Sequence, residues 1–341
     1  MNTYFSHRHF IPLLVFIGLL QSCQFNQIDY PPHDSSKLKG PPAKSLETRT
    51  FQLAEAVTYP FYGTLLHFNQ QFLLFGHNEA AGRLATLTAS IVTELPKSDL
   101  TSLFSTPSGS IWGIKSRNET FLLRHLVNGS WVEVATIDGT HYQTVRVTEQ
   151  ELWFTTSRGL IIWNRMQNKI SQRIGIDRSR VFTNTFSVES VGDELKVYAN
   201  QDLETPISRF PLPAYLTVRK GISNAIWGVF EDKNQHLWLV VKDANWDGVL
   251  LKFDGKNLTN ITTIPVGDYD SGRSASNFNQ DKTGNLWVQI DGVNYVYTQE
   301  GKWILPRFNA IENTLYAGTV FTDAQGNPVI ATYQKLFSIT L

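Results

Sequence analysis

Along most of this chain, short polar turns give way to apolar runs in which a tryptophan stands near the start. In FEDKNQHLW (Phe230 to Trp238) an Asp lies six residues ahead of the Trp, and a leucine immediately precedes it. NQDKTGNLWVQI repeats this order around Trp287, STPSGSIWGI places Trp112, and TEQELWFT places Trp153. TDAQGNPVIA keeps the turn and carries Val329 in the Trp position, while NQQFLLFG and VGDELKVY are weaker copies with Leu73 and Lys196 there. The anchors Leu73, Trp112, Trp153, Lys196, Trp238, Trp287 and Val329 are spaced 39, 41, 43, 42, 49 and 42 residues apart. A period of about 40 residues matches one four-stranded blade of a β-propeller. Seven such units predict an all-β, seven-bladed propeller of four-stranded antiparallel blades. A β-sandwich whose turns fall at this spacing by chance does not account for even spacing over seven units.

The motif has a physical rationale. In DKTG (Asp281 to Gly284) and DAQG (Asp323 to Gly326), Asp takes the first and Gly the fourth place of a type I turn; TPSG (Thr106 to Gly109) adds a Pro at the second place, where its fixed φ fits. In the strand that follows, neighbours such as Leu286 and Trp287 point to opposite faces of the sheet. One then packs on the preceding blade and the other on the next, where a Trp fills the wide wedge between blades.

Closure is also legible. After Val329 only IATYQKLFSITL remains, enough for one further strand, so the last blade lacks its outermost one. TRTFQLAEAV (Thr48 to Val57) has strand character and is expected to supply it, closing the ring. The expected organisation is a signal segment over 1–22, a tether over 23–47 and a propeller over 48–341.

The stretch from Arg219 to Thr262 adds a resemblance. Gly221, Ile222, Ser223, Asn224, Glu231, Asp232, Leu237, Trp238, Gly248, Phe253, Asp254 and Gly255 fall in an order that resembles the two-component regulator propeller repeat. Gln235 stands where that family has Gly, and Ser274 to Tyr297 forms a second good copy. In that family such propellers are sensor regions outside the cytoplasm, often tied to polysaccharide sensing. The resemblance implies ligand or partner binding here; with one propeller and no kinase, it does not carry signalling over.

Composition bounds the function. Thirty basic and 30 acidic side chains cancel, which excludes the cationic surplus needed to bind nucleic acid. Hydrophobic residues make up 42% of the chain, enough for a core. At the N-terminus, Arg8 precedes an apolar run from Ile11 to Leu20, too short to span a bilayer but suited to a signal peptide. Leu20-Gln21-Ser22-Cys23 follows and resembles a bacterial lipobox; Cys23 is the only cysteine. That resemblance implies cleavage before Cys23 and its lipidation, hence a membrane anchor, and a mature fold held without disulfides. With Gln24 rather than Asp after the cysteine, the expected location is the bacterial cell envelope, as an outer-membrane lipoprotein. Residues 24–48 are polar, contain two Pro-Pro pairs and read as a semi-extended tether.

In a propeller, the loops between second and third strands and the loops between blades open on one face. The former supply His77, Glu79, Arg83, Arg117, Arg158, Trp246 and Tyr333; the latter supply His141, Tyr142, Arg178, Arg180, Arg219, Asp268, Tyr269, Asp270 and Arg273. Aromatic rings among arginines suit stacking on, and hydrogen bonding to, an oligosaccharide or a peptide; a protein partner is the other expectation. DANWDG (Asp243 to Gly248) matches the first half of a calcium loop, with Asp243, Asn245 and Asp247 as candidate ligands, although Asp254 rather than Glu stands at the twelfth place. A polar turn built for backbone reasons explains the same residues. Hydrolase and nucleotide motifs are missing. LWFTT (Leu152 to Thr156) resembles repeats of the streptogramin lyase type of propeller, which uses His, Glu and Mg²⁺, but Thr156 replaces the Glu of that repeat. Binding, scaffolding at the outer membrane and metal-dependent lyase chemistry are therefore the three functions to separate. The sequons beginning at Asn118, Asn128, Asn257 and Asn260 are expected to be Asn-containing turns and strand edges.

Overall fold

The structure is a computed structural model and describes residues 46–58, 63–68, 71–76, 84–88, 91–96, 98–176, 180–212, 226–242, 248–264, 275–290, 292–311, 318–323, 325–332 and 335–341. Every regular element among them is a β-strand, and no helix among them is long and apolar enough to cross a membrane. The strands are β1 (Leu46–Thr58); β2 (Gly63–Phe68), β3 (Gln71–Gly76), β4 (Leu84–Thr88) and β5 (Ile91–Leu95); and β6 (Ser102–Ser105), β7 (Ile111–Ser116), β8 (Thr120–Val127) and β9 (Ser130–Asp138). They continue as β10 (His141–Val147), β11 (Glu151–Thr156), β12 (Gly159–Asn164) and β13 (Lys169–Ile174); β14 (Val181–Phe182), β15 (Phe186–Val191), β16 (Glu194–Ala199) and β17 (Ser208–Pro211); and β18 (Ile226–Glu231), β19 (Leu237–Lys242), β20 (Gly248–Phe253) and β21 (Leu258–Thr263). The last are β22 (Ala275–Gln280), β23 (Leu286–Ile290), β24 (Val293–Tyr297), β25 (Trp303–Phe308), β26 (Thr319–Thr322), β27 (Pro328–Ala331) and β28 (Lys335–Thr340).

From β2 to β21 the chain makes five four-stranded antiparallel meanders. The remaining strands form one eight-stranded sheet in the order β22-β23-β24-β25-β1-β28-β27-β26. Its two halves meet at β1. Residues Leu46 to Phe51 run parallel to β25, and Gln52 to Thr58 pair antiparallel with β28. The N-terminal strand thus lies outside β28, as its position in the sequence requires, and it also crosses to the neighbouring edge. It starts at Leu46, inside the segment expected to be tether.

First strands adjoin first strands: β2 lies beside β6, β10 beside β14, β14 beside β18, β18 beside β22 and β22 beside β26. The faces of successive sheets therefore stack, and strand alternation sorts the core. Leu237, Leu239 and Val241 of β19 pack with Val188, Leu195 and Val197 of the preceding sheet, whereas Val240 packs with Phe278, Val288 and Tyr295 of the following one. Leu286 and Val288 likewise face back while Trp287 faces forward onto Phe51, Ile330 and Phe337. Trp287 is 2% exposed. Burying about 150–250 Å² of ring at about 25 cal/mol/Å² gives a transfer term of about 4–6 kcal/mol.

One anchor in the sequence reading is misplaced. Lys196 lies on β16, the third strand of its sheet. The residue in the Trp position is Val188 on β15, which joins the core shared with the following sheet. It falls 35 residues after Trp153 and 50 before Trp238, so the repeat is less even than it looked. The turn ahead of β15 is Thr183-Asn184-Thr185, with no Asp or Gly in it and no Trp after it, and its signature is therefore hidden.

The recurring turn is held by its carboxylate. Asp281 Oδ1 accepts the backbone N–H groups of Thr283 and Asn285 at 2.9 and 3.0 Å, and its Oδ2 accepts Asn285 Nδ2 and the buried indole Nε1 of Trp287 at 3.2 and 2.9 Å. Asp232 does the same for Asn234, His236 and Trp238. Burial pushes the Asp232 carboxyl up, but these bonds outweigh it and hold the group below its ordinary value. Gly284 closes its turn with φ at 87°, whereas Gln235 occupies the same place at 60°. A side chain there costs about 1–2 kcal/mol, which Gly avoids.

Two substitutions should therefore move stability in opposite directions. Asp281→Ala orphans the Trp287 indole and the turn amides and should lower stability by about 2–4 kcal/mol. Gln235→Gly should raise it by about 0.5–1 kcal/mol. Denaturant melts of both variants check this.

Candidate functional site

Antiparallel alternation puts the loop between second and third strands on the same face as the linkers between sheets. Three such segments are bonded together at the second and third sheets. Thr140, in the β9–β10 linker, donates its Oγ1 to the Asn118 carbonyl in the β7–β8 loop at 2.8 Å. Its amide donates to Ser157 Oγ in the β11–β12 loop at 2.9 Å, and the Ser157 amide returns a bond to the Thr140 carbonyl at 3.0 Å. The Gly139 amide reaches the Glu119 carbonyl at 2.7 Å. Gly139 has φ at 106°, and a Cβ there would press on the Thr156 side chain 3.1 Å away, so the linker passes only as glycine.

These bonds fix the backbone beside three of the residues singled out from sequence. Arg117 and Arg158 are exposed on the loops beside Asn118 and Ser157, and Tyr142 is 46% exposed at the start of β10. Among the described residues neither arginine forms an ion pair, so both guanidinium groups face solvent with their donors available. Tyr142 lies at a cavity of about 270 Å³ whose wall includes Thr156, Ile176 and Arg180.

His141 sits lower. Its ring packs between Phe121 and Phe154, with centroids 5.3 and 6.0 Å away, and Nε2 is 3.3 Å from Thr144 Oγ1. Burial pushes its pKa down to about 4, so the imidazole is neutral at physiological pH. It braces the loops from beneath and presents no charge to a ligand. Arg180 also turns inward. Its Nε meets Glu189 at 3.1 Å, its Nη1 donates to the Leu203 carbonyl at 2.7 Å, and its guanidinium stacks 3.8 Å from the Tyr198 ring centroid. Tyr198 donates its hydroxyl to Glu189, and burial first, then that bond and the Glu189 charge, push the phenol up to about 12. Arg180 adds to the wall of the Tyr142 cavity, but its charge serves the fold, a role its sequence context did not signal.

Arg178, Arg219, Trp246, Tyr269 and Arg273 lie outside the described residues, as do His77, Glu79, Arg83, Tyr333, Asp268 and Asp270, the calcium candidates Asp243, Asn245 and Asp247, and the lipidation candidate Cys23. Asp254, at the twelfth place of the calcium pattern, caps its own hairpin by accepting the Lys256 and Asn257 amides at 2.9 and 2.7 Å. No cluster of three His, Cys, Asp or Glu side chains suited to a metal occurs among the described residues.

The neutral His141 makes a pH prediction. Its native pKa lies below the unfolded value of 6.5, so its contribution is complete above pH 6.5 and is lost as pH falls toward about 4. The loss should reach about 2 kcal/mol, with the shallow remainder screened by solvent. Phe in place of His141 should flatten that part of the stability–pH curve, read by denaturant titration at stepped pH.

No family model matches this chain, and no curated protein does. Among solved structures it is similar to the extracellular domain of a one-component system protein from B. thetaiotaomicron, with a TM-score of 0.56 and 14% identity over 85% of this chain and 40% of that one. It is also similar to the extracellular domain of a hybrid two-component system protein from the same organism, with a TM-score of 0.51 and 11% identity over 82% of this chain and 38% of the other. The WD40 domain of Toxoplasma gondii coronin aligns at a TM-score of 0.54 and 9% identity over 88% of each chain. This chain thus spans about two fifths of the length of the two bacterial structures. At these identities the likeness shows the fold: the chain is an all-β propeller built from four-stranded antiparallel sheets.

Proposed function

We propose that this chain is a lipid-anchored, extracytoplasmic propeller of seven four-stranded blades that binds an oligosaccharide or peptide at the mouth of the ring. The blade count is supported by the eight-stranded sheet, whose halves β22–β25 and β26–β28 with β1 each have the make-up of the other five sheets. The observation that carries the binding role is the bonded set of loops at Asn118, Thr140 and Ser157, which holds Arg117, Tyr142 and Arg158 on one face. Loops held in place lose little entropy on binding, and an aromatic ring on the same face as arginines suits the flat side of a sugar ring or an amide. The signal segment and Cys23 support an envelope location with membrane attachment, and the extracellular bacterial domains of similar fold agree with it. Trp246, Tyr269, Arg178, Arg219 and Arg273 complete the proposed rim, with calcium at Asp243, Asn245 and Asp247 as an optional element of it.

A second reading is an assembly scaffold at the outer membrane, because the propeller fold by itself does not select between binding a small ligand and binding a protein. The two separate in a thermal-shift and calorimetric screen of the full chain against oligosaccharides, peptidoglycan fragments and peptides, each with calcium or with EDTA. Binding at the mouth predicts a saturable shift with one class, weakened about tenfold or more by Arg117→Ala or Arg158→Ala. Silence across the panel would replace it with the scaffold. Cys23→Ala should move the protein from the membrane to the soluble fraction.

A further inference from the structure

The face opposite those loops carries the turns between first and second strands and the hairpins between third and fourth. There, between the second and third sheets, lies a cavity of about 380 Å³ walled by Trp112, His125 and Arg165, with Glu149 beside them. The rings of Trp112 and His125 stack 4.2 Å apart at 11°, and the Arg165 guanidinium lies 5.3 Å from the Trp112 ring centroid.

Trp112 differs from its counterparts. The indole N–H groups of Trp238 and Trp287 are taken by the turn carboxylates of Asp232 and Asp281, and that of Trp153 by Glu151 at 2.9 Å. The turn ahead of Trp112 has Thr106 at the Asp position. Its hydroxyl keeps one of the carboxylate's tasks, accepting the Ser110 amide at 3.1 Å, and pairs with Ser108. A lone hydroxyl has no second oxygen to offer the indole. Trp112, 5% exposed, therefore holds Nε1 without a hydrogen-bond partner, and Arg165 Nε is in the same condition. The Nη1 of Arg165 is committed to the Thr148 and Glu149 carbonyls and to the Glu149 carboxylate. Two buried donors on one cavity wall are unsatisfied, a condition that costs a fold and rewards an acceptor that reaches them.

We infer that this cavity is a second binding site, distinct from the mouth, and that it takes a neutral peptide segment: a main-chain carbonyl accepts from Trp112 Nε1 or Arg165 Nε while an apolar side chain packs on Val132 and Met166. Charge selects against an anion, because Glu133 and Glu149 outnumber Arg165, and Glu149 already meets that guanidinium at 3.2 Å. Burial, and then the Arg165 charge, hold the His125 pKa below its ordinary value, so the imidazole brings no compensating cation. Val132 and Met166, 47% and 81% exposed, form the apolar lip. Both nitrogens are buried, so the wall yields on entry; the unbranched Met166 side chain repacks at low cost. The volume lies within the range of small-ligand pockets, roughly 300–1,000 Å³.

The test uses the full chain with ¹⁵N-labelled tryptophan, the Trp112 indole signal being assigned by its loss in Trp112→Phe. N-acetyl-leucyl-leucinamide and sodium acetate are titrated separately. The dipeptide should shift the Trp112 signal saturably and acetate should not. Thr106→Asp restores the missing carboxylate, which should capture the indole N–H, raise the melting temperature and weaken dipeptide binding by about tenfold, the worth of roughly one hydrogen bond. Trp112→Phe keeps a ring and removes the N–H, and calorimetry should show a loss of the same size. No shift at millimolar dipeptide, an equal shift with acetate, or unchanged affinity in both variants overturns the assignment. Arg117→Ala, at the other face, leaves this titration unaltered, so the two sites fail or stand independently.

Discussion

The carboxylate at the first place of the strand-joining turn is the constraint from which the rest of this structure follows. With one oxygen it gathers the turn's own amides, and with the other it takes the N–H of an indole six residues later. The spacing is set by geometry: a four-residue turn, one further residue and a leucine bring the Trp back alongside the Asp. A buried indole that lacks an acceptor costs about 1–3 kcal/mol, a sizeable part of a domain's net stability. The bond thus lets a propeller place its largest side chain in the wedge between sheets without an orphaned donor. It also fixes which face of the second strand the Trp takes, and through strand alternation it fixes the Leu before it to the other face. Each sheet is thereby committed to both neighbours.

That commitment explains why closure matters. Stacked sheets need their apolar faces covered, and the eight-stranded sheet ties the last two units together through β1. β1 supplies Phe51, whose ring lies 5.4 Å from that of Trp287 and 6.3 Å from that of Phe308. The same strand hydrogen-bonds to β25 on one side and to β28 on the other. This strand therefore joins backbone pairing and core packing at the point where the first and last described strands meet.

The two faces use their residues differently. On one, loops with no regular structure are held by a handful of hydrogen bonds around Thr140, which leaves Arg117, Arg158 and Tyr142 outward. On the other, the turns led by Asp232, Asp281 and Asp323 satisfy their own amides, and the copy led by Thr106 stands out by the indole it leaves unbonded. The buried Arg180–Glu189–Tyr198 set shows the opposite case, in which an arginine on a linker serves the interior. A charged residue at a sheet-to-sheet linker can therefore face either way, and only its partners decide.

Much of the fold was written in local chemistry. Turn formers, the Asp-to-Trp spacing and the Leu-Trp pair act within ten residues, so the sequence itself determined strand order, the meander within each sheet and the use of an N-terminal strand beside the last one. It misjudged the fourth unit, where Val188 fills the Trp position without any Asp or Gly ahead of it and Lys196 mimics the motif one strand later. The face that carries the loops was likewise legible, because antiparallel alternation dictates it. What the sequence could not decide was which way His141 and Arg180 point and that the Trp112 indole is left without an acceptor. Those depend on contacts between segments far apart in the chain, Phe121 and Phe154 around His141, Leu203 and Glu189 around Arg180, and Arg165 over Trp112. Burial and hydrogen bonding across such distances are properties of the packed molecule, and only the tertiary structure sets them.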